Sequence, residues 1–200
     1  MSEKQAGIRI IIADQEEAIR TNLTNILENA HYQVVGTVGD GFDAVALCKN
    51  LKPDLVLMDI KMPLLDGLSA TKIILEEKLG DIVILMSDSS NKDAVRMATH
   101  FGAFGYIIKP VDEKVLIPNI EIAVARSREI KRLENEIKTI SKQMEDHSAI
   151  EKAKGQLMEK KGMTEPQAYE YIEKLSLSKK IPMNRIAEII LVQNQTIIDF

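Results

Sequence analysis

The sequence predicts an α/β protein that begins with a doubly wound, five-stranded parallel sheet. Five short runs rich in Val, Ile and Leu recur through the first part of the chain, and stretches with helical apolar spacing separate them. Three of these runs lead directly into charged residues. Nearly continuous apolar strands are typical of parallel sheets that helices cover on both faces, so the pattern favours this class.

The individual elements can be placed from these runs. The predicted strands are 8–13, 34–38, 54–59, 81–87 and 104–109. The predicted helices between them are about 16–30, 41–51, 67–79 and 91–101, where apolar residues recur at three- and four-residue spacing. Strands that alternate with helices form a parallel sheet with crossover connections. The dipeptides Asp40-Gly41 and Asp66-Gly67 are most simply interpreted as turns.

Charged residues at three strand ends predict a site. Asp14, Asp59 and Lys109 are far apart in sequence, but each lies where a predicted strand ends. In doubly wound sheets, ligands bind at the carboxyl ends of the strands, so the fold would gather these side chains at one edge. The stretch Asp14-Gln15-Glu16-Glu17 puts carboxylates at this edge and raises the question of a metal pocket that is interrupted by an amide.

Composition limits the class of protein. Two hundred residues suffice for one full domain and a smaller second one. A hydrophobic fraction of 45% is ordinary for a globular protein, and a single cysteine, Cys48, excludes an internal disulfide framework. No apolar run approaches the length of a membrane span, and the first residues lack the pattern of a signal peptide. A cytoplasmic protein is therefore expected.

The last third of the chain is predicted to be helical. Apolar residues at a strict 3-4-3-4 spacing predict a short coiled-coil linker over residues 123–147 that pairs two copies of the chain. These seam residues are Ile130, Leu133, Ile137, Ile140 and Met144. A helix that packs on its own domain is the alternative. After the linker, Gly162, Thr164 and Pro182 mark the ends and starts of three short helices, which form a small bundle over residues 148–200.

The strand ends carry the residues of one known family. Asp59 ends the third strand within LVLMDIKMPLLDG, Ser87 ends the fourth, and Lys109-Pro110 ends the fifth. With Asp14 after the first strand, residues 7–125 resemble a response-regulator receiver domain, to which we assign residues 1–122. The resemblance implies a flavodoxin-like fold and a histidine kinase that phosphorylates the third-strand aspartate.

The resemblance also implies a role for each residue. Asp59 would be the phosphoacceptor, and Lys109, preceding a cis proline, would pair with the phosphoryl group. Ser87 would donate a hydrogen bond to a phosphoryl oxygen, and Tyr106 would rotate with it. A bound Mg²⁺ would neutralise phosphate oxygens. Its ligands would be Asp14, Asp59, the backbone carbonyl of Lys61 and Gln15, which offers an amide oxygen without a charge.

Two positions depart from the pattern of the receiver family. Gln15 replaces the second of two consecutive acids, and a unit charge at contact distance is worth up to about 4 kcal/mol. The affinity for Mg²⁺ should therefore fall. Asp88 follows Ser87 where a small residue is usual, and it could either repel the phosphate or replace the charge missing at Gln15. Phosphorylation of Asp59 is expected, with a phosphorylation-independent receiver as the alternative.

The tail resembles a second family. The segments AKG (153–155), GMTE (162–165) and AY (168–169) match an ANTAR domain, the RNA-binding antitermination module, in order and spacing. Among such proteins the ethanolamine-utilisation antiterminators look most similar. The resemblance implies binding to paired hairpins in messenger leaders. The candidate contacts are Ala153, Lys154, Gly155, Tyr169, Ser176, Lys179, Lys180 and Arg185.

Together these features predict a regulator rather than an enzyme. Phosphorylation at Asp59 would favour a homodimer, and the dimer would bind two RNA hairpins with avidity. Residues 1–125 carry twelve basic and eighteen acidic side chains, against fourteen and twelve in residues 126–200, so the tail is mildly basic. A DNA-binding response regulator is a further alternative, disfavoured because the second bundle helix is acidic on its exposed side.

Overall fold

The predicted five-stranded parallel sheet is confirmed. In the computed structural model, which describes residues 7–89 and 92–195, the strand order is β2-β1-β3-β4-β5. The strands are β1 (Arg9–Ala13), β2 (Gln33–Val38), β3 (Leu55–Asp59), β4 (Ile82–Ser87) and β5 (Gly105–Ile108). The first helices are α1 (Glu17–Asn29), α2 (Gly41–Leu51), α3 (Gly67–Glu76) and α4 (Lys92–His100). The remaining helices are α5 (Glu113–Lys161), α6 (Glu165–Lys179) and α7 (Met183–Gln195).

Agreement with the predicted elements is close at most boundaries. The third helix ends three residues before the predicted 79, at Glu76. The predicted start of the fourth helix at residue 91 lies outside the described residues. The same holds for the outer ends of the two predicted domains, residues 1–6 and 196–200.

Alternate residues of each strand feed two separate cores. On one face of the sheet, Ile10 and Ile12 pack with Leu23 and Leu27 of α1 and with the first turns of α5. On the other face, the intervening strand residues pack with α2, α3 and α4, and the buried Cys48 belongs to this layer. Because both faces are covered, β1, β3 and β4 are apolar except at their ends, where Asp59 and Ser87 lie, whereas the edge strand β2 also has an exposed Thr37.

The two Asp-Gly dipeptides begin helices, which corrects their interpretation as simple turns. The Asp40 carboxylate accepts a hydrogen bond from the backbone N–H of Asp43 at 2.9 Å and caps α2. Asp66 caps α3 in the same way through the N–H of Ser69, also at 2.9 Å. Such caps satisfy donors that a helix start leaves unpaired.

The linker and the first helix of the predicted bundle are not separate elements. Helix α5 continues without a break for 49 residues, from the receiver-like part into the bundle. Between Pro118 and Gly155 the sequence contains no helix breaker, so nothing ends the helix at residue 147. The chain divides into two compact units within this helix, at residues 1–130 and 131–200.

The second unit is a three-helix bundle, as predicted. Its core comprises Ala153 and Leu157 of α5, Ala168 and Ile172 of α6, and Ile186, Ala187 and Ile190 of α7. Gly162 has a φ of +64°, which suits its place just after the end of α5. The Gln167 side chain accepts from the N–H of Thr164 at 2.9 Å and completes the start of α6. No helix in the described part of the chain has an apolar stretch long enough to span a membrane.

Candidate functional site

The sheet brings three charged side chains together, as their strand-end positions predict. Asp14 follows β1 and Asp59 ends β3, so both lie where the strand order reverses. The Nζ atom of Lys109 lies 2.6 Å from Oδ2 of Asp14 and 3.2 Å from Oδ1 of Asp59. All three side chains are buried, and the Lys109–Pro110 peptide is cis. The single ammonium group of Lys109 thus contacts two carboxylates.

This imbalance shows in the pKa values of the cluster. Burial raises the pKa of Asp59 above its ordinary value, and the negative charge of Asp14 raises it further. The charge of Lys109 and the hydrogen bonds from Lys109 and from the Lys61 N–H lower this pKa, but by less. Burial alone would lower the pKa of Lys109, but its hydrogen bond to Asp14 and the charge of Asp59 raise it. The site is therefore short of positive charge at neutral pH.

The backbone around Gln15 is held, whereas its side chain faces solvent. The guanidinium of Arg20 donates to the carbonyl oxygens of Asp14 at 2.7 Å and Gln15 at 3.2 Å. The N–H of Glu16 donates to Oδ1 of Asp14 at 2.9 Å. Among the described residues, no group of three acidic, histidine or cysteine side chains converges on a possible metal position. The buried carboxylates of Asp14 and Asp59 nevertheless provide oxygen donors of the kind Mg²⁺ prefers.

Ser87 and Tyr106 are joined through a single residue. The hydroxyl of Tyr106 donates to the carbonyl oxygen of Ser89 at 2.6 Å, and the N–H of Ser89 donates to Oγ of Ser87 at 3.2 Å. The N–H of Lys109 donates to the carbonyl of Ser87 at 2.8 Å. Hydrogen bonds therefore link the ends of β4 and β5 to the loop after β4. A movement of Ser87 would alter its bond to Ser89, the residue to which Tyr106 also bonds.

The loop after β3 lies tightly against the site. A side chain at Gly67 would place its Cβ 2.0 Å from the carbonyl oxygen of Asp59, so only glycine fits there. In the same region, Nζ of Lys61 lies 3.5 Å from Oδ2 of Asp88, and both side chains are exposed. Asp88 thus has a cationic neighbour at the mouth of the site, although an exposed ion pair contributes at most about 1 kcal/mol.

Two residues at the site, Arg20 and Ser89, were not predicted from the sequence. The contact of Ser89 could be expected from the sequence, because the hydroxyl of a serine such as Ser87 often bonds to the backbone N–H two residues later. The contacts of Arg20 could not be expected, since they depend on how the start of α1 approaches the chain after β1.

Three of the predicted RNA contacts are buried or half-buried in the second unit. Ala153 is fully buried in the bundle core. Lys154 is also buried, and its ammonium contacts Glu151 at 2.9 Å and Glu165 at 2.7 Å, which ties α5 to the start of α6. Ser176 donates to a backbone carbonyl at 2.6 Å in the turn after α6. Each of these three residues therefore contributes to the structure of the bundle, and its contact with RNA stays a prediction.

The other predicted RNA contacts lie on the surface. Tyr169 is 45% exposed rather than part of the core. Gly155 is exposed within α5, and among the described residues no atom outside that helix's own backbone lies within 4 Å of the position a Cβ would take. Lys179 and Lys180 are exposed, and Lys180 adopts a left-handed conformation after the end of α6. Arg185 is exposed and pairs with Glu188 at 2.7 Å.

The apolar seam of α5 is exposed within a single chain. Ile137 and Met144 are 63% and 69% exposed, and the other three seam residues are exposed as well. The alternative, a helix that packs these residues on its own domain, predicts that they are buried, whereas all five are exposed. Exposed apolar residues at heptad spacing match the narrow stripe of a two-stranded coiled coil.

Two family models match the chain. The response regulator receiver domain matches residues 10–121, and the ANTAR domain matches residues 138–191. The first match covers the parallel sheet, and the second covers most of the helical bundle. The two sequence resemblances are confirmed in this respect, while the exact domain boundaries stay predictions.

Individual proteins and solved structures are also similar to this chain. The transcriptional regulatory protein PdtaR of Mycobacterium tuberculosis is 43% identical over 183 residues, which are 92% of this chain and 89% of that protein. A CheY-like receiver domain protein from Methanospirillum hungatei has a TM-score of 0.57 at 26% identity and covers 60% of this chain and 96% of that one. A CheX–CheY–BeF₃–Mg²⁺ complex from Borrelia burgdorferi has a TM-score of 0.54 at 28% identity, with 56% and 86% covered.

Proposed function

The chain belongs to the response regulators that join a receiver domain to an ANTAR domain, and on this basis we propose that it is a phosphorylation-controlled, RNA-binding antitermination regulator. The observation that carries the proposal is the meeting of Asp14, Asp59 and Lys109 at the switch point of the sheet. Phosphoryl transfer needs a carboxylate nucleophile and a fixed cation in this arrangement.

The receiver site would accept a phosphoryl group from a sensor histidine kinase. A carboxylate oxygen of Asp59 attacks phosphorus, the bond from phosphorus to the donor histidine breaks, and an acyl phosphate forms. Lys109, held between Asp14 and Asp59, is placed to pair with the new phosphoryl oxygens. The added negative charge falls where positive charge is already short, so a further cation is needed.

Mg²⁺ is the cation that this donor set suits. Asp14, Asp59 and the carbonyl of Lys61 would hold it, and when bound it would supply positive charge to the phosphoryl oxygens. The solved CheX–CheY complex from Borrelia burgdorferi contains BeF₃ and Mg²⁺, which supports this choice. Gln15, exposed beside Asp14, contributes no charge to the site.

Restoring an acid at position 15 should therefore tighten Mg²⁺ binding. We expect Gln15→Asp to lower the Kd for Mg²⁺ at least tenfold, within an upper limit of about 4 kcal/mol for one unit charge at contact. Isothermal titration calorimetry on the full chain measures this directly. Gln33→Asp, at the opposite end of the sheet, adds the same charge and should leave the Kd unchanged. An unchanged Kd in Gln15→Asp would place the metal away from this residue.

The switch would run through Ser87, Ser89 and Tyr106. A phosphoryl oxygen on Asp59 offers an acceptor to the hydroxyl of Ser87 and draws that residue toward the site. Because Ser87 and Tyr106 both bond to Ser89, this movement changes the support of the Tyr106 side chain. Such a change biases the receiver between two states, one of which favours the homodimer.

The dimer would then present two ANTAR bundles to two RNA hairpins. The exposed seam of α5 offers the surface on which two copies pair. Linking two weak contacts raises overall affinity by orders of magnitude when both can be made at once. Phosphorylation would thus control RNA binding through the oligomeric state.

Gly155 points to the side of the bundle that RNA contacts. Glycine in a helix interior costs about 0.5–1 kcal/mol relative to alanine. The open space around a Cβ at this position means that packing within the unit does not require glycine. Close approach by an outside partner explains the residue.

Gly155→Ala should therefore separate stability from binding. We expect the free energy of unfolding to rise by about 0.5–1 kcal/mol, measured by urea denaturation. RNA affinity should fall at least tenfold in a gel-shift titration, because the added methyl group blocks the approach. Ser148→Ala, an exposed change in the same helix, is the control that should leave RNA affinity intact. Native RNA affinity in Gly155→Ala would remove this surface from the interface.

One gel-shift comparison tests the proposed function. The full chain, with and without phosphorylation, is titrated with RNA hairpins selected from a random-loop library and with promoter DNA. RNA binding that strengthens on phosphorylation supports the proposal, and preferential DNA binding overturns it. Gln15 favours one second candidate, a phosphorylation-independent antiterminator, which predicts equal RNA affinity in both states.

A further inference from the structure

A cavity of about 440 Å³ opens between the three helices of the second unit. Buried Leu157 and Ile186 and half-buried Tyr171 line it. Ile189, 45% exposed, lines the cavity as well. The volume lies within the range of about 300–1,000 Å³ that small-molecule sites occupy, which is ample for one flat heterocycle.

Two lysines line the same cavity. Lys161 and Lys179 are both exposed, and Nζ of Lys161 lies 4.8 Å from the centroid of the Tyr171 ring. In the described part of the chain, neither lysine has a carboxylate within 4.0 Å, whereas Lys154 and Lys174 of the same unit are each paired with a glutamate. The cavity is thus apolar inside and positively charged at its edge.

We propose that this cavity takes one unpaired RNA base, with the adjacent phosphates held by Lys161 and Lys179. The proposal rests on the RNA-binding function proposed above and names a contact within it. Protein readers of RNA take splayed loop bases onto aromatic side chains, and lysines hold the backbone on either side. An apolar peptide would use the apolar lining of the cavity but would leave both lysines without an anionic partner, since the described contacts of Lys161 are with the ring and hydroxyl of Tyr171.

A double-mutant cycle on the full chain tests the base contact. The probes are an RNA hairpin selected from a random-loop library by the native protein, and the same hairpin made abasic at each loop position in turn. We expect Tyr171→Leu, which keeps apolar bulk but removes the ring, to weaken binding of the intact hairpin about ten- to hundredfold. For the hairpin that is abasic at the bound position, native and Tyr171→Leu proteins should bind equally.

Three further variants separate the cavity from folding and from general charge. Ile189→Ser, at an exposed cavity position, should weaken binding in the same base-dependent way, and Leu177→Ser, which is more exposed and lies outside the cavity, should not. Lys179→Gln should lower the slope of log affinity against log salt by about 0.7, the value for one lost single-strand phosphate contact. Far-ultraviolet circular dichroism shows whether each variant keeps its helices.

The outcomes are distinct. If Tyr171→Leu weakens the intact and every abasic hairpin equally, or binds the intact hairpin as the native protein does, the base contact is wrong while RNA binding stands. If the native protein selects no hairpin in either phosphorylation state, the proposed function fails, and this contact fails with it. If Tyr171→Leu instead changes the oligomeric state in sedimentation, the cavity belongs to a protein interface.

Discussion

Incubation with acetyl phosphate and Mg²⁺ is expected to add the mass of one phosphoryl group to the intact protein and none to Asp59→Asn. The expectation follows from the position of Asp59 at the end of β3, where its carboxylate lies 3.2 Å from the ammonium of Lys109. An amide at this position cannot form an acyl phosphate. The mass of the intact chain distinguishes the two proteins without any knowledge of the natural kinase.

Asp59→Asn should also be more stable than the native protein at pH 7. Burial raises the pKa of Asp59, so the folded chain binds this proton more tightly than the unfolded chain does. The contribution of this carboxyl to stability is therefore largest below its unfolded pKa and declines as the pH rises through its folded pKa. At pH 7 the group is a net cost, and asparagine removes that cost. Urea unfolding at pH 7 measures the gain.

Asp66→Asn is the matched control for this experiment. Asp66 lies in the loop after Asp59 and caps α3, and asparagine caps helices about as well as aspartate. The control should therefore gain the phosphoryl mass like the native protein. If the native protein gains no mass at high Mg²⁺, the loss of charge at Gln15 has disabled the site, and the phosphorylation-independent candidate is preferred. If Asp59→Asn gains mass, another residue is the acceptor.

The sheet and its rim could be predicted because each depends on local pattern and a general rule. Apolar runs such as IRIIIA can be nearly continuous only where both faces of the sheet are covered. Once the strands are parallel, their carboxyl ends share one edge, so Asp14, Asp59 and Lys109 are expected on the same side of the sheet. Their contact distances depend further on the strand order, which places β1 beside β3, and on the Lys109 side chain, whose ammonium contacts both carboxylates.

The features that sequence analysis missed depend on tertiary contacts or on where a helix stops. The apolar residues of α5 face one packing surface in the linker and another in the bundle, so the two segments look separate in pattern. No residue between them ends a helix, and they are continuous in the structure. Lys154 looks like a surface cation in sequence. It is buried because Glu165, eleven residues later, is brought beside it at the start of α6.

The last prediction concerns the seam of α5. Ile137→Asp should weaken binding to an RNA with two hairpins by about 10²–10⁴-fold, the usual range for lost avidity, while binding to one hairpin changes little. Ile137 is the central seam residue, and a carboxylate there would be buried against its counterpart in the partner helix, where like charges repel. Each single bundle keeps its own core, since Ile137 does not belong to it.

The seam variant requires a control that adds the same charge elsewhere on the helix. Thr139 lies two residues away on a different face of α5, so Thr139→Asp should leave both affinities near native values. Gel-shift titrations with one-hairpin and two-hairpin RNAs, and sedimentation with and without phosphorylation, measure affinity and dimerisation together. Equal losses for both RNAs would show that Ile137 acts within one bundle. Unchanged dimerisation in Ile137→Asp would assign the paired state to another surface, and the exposed seam would then need a different partner.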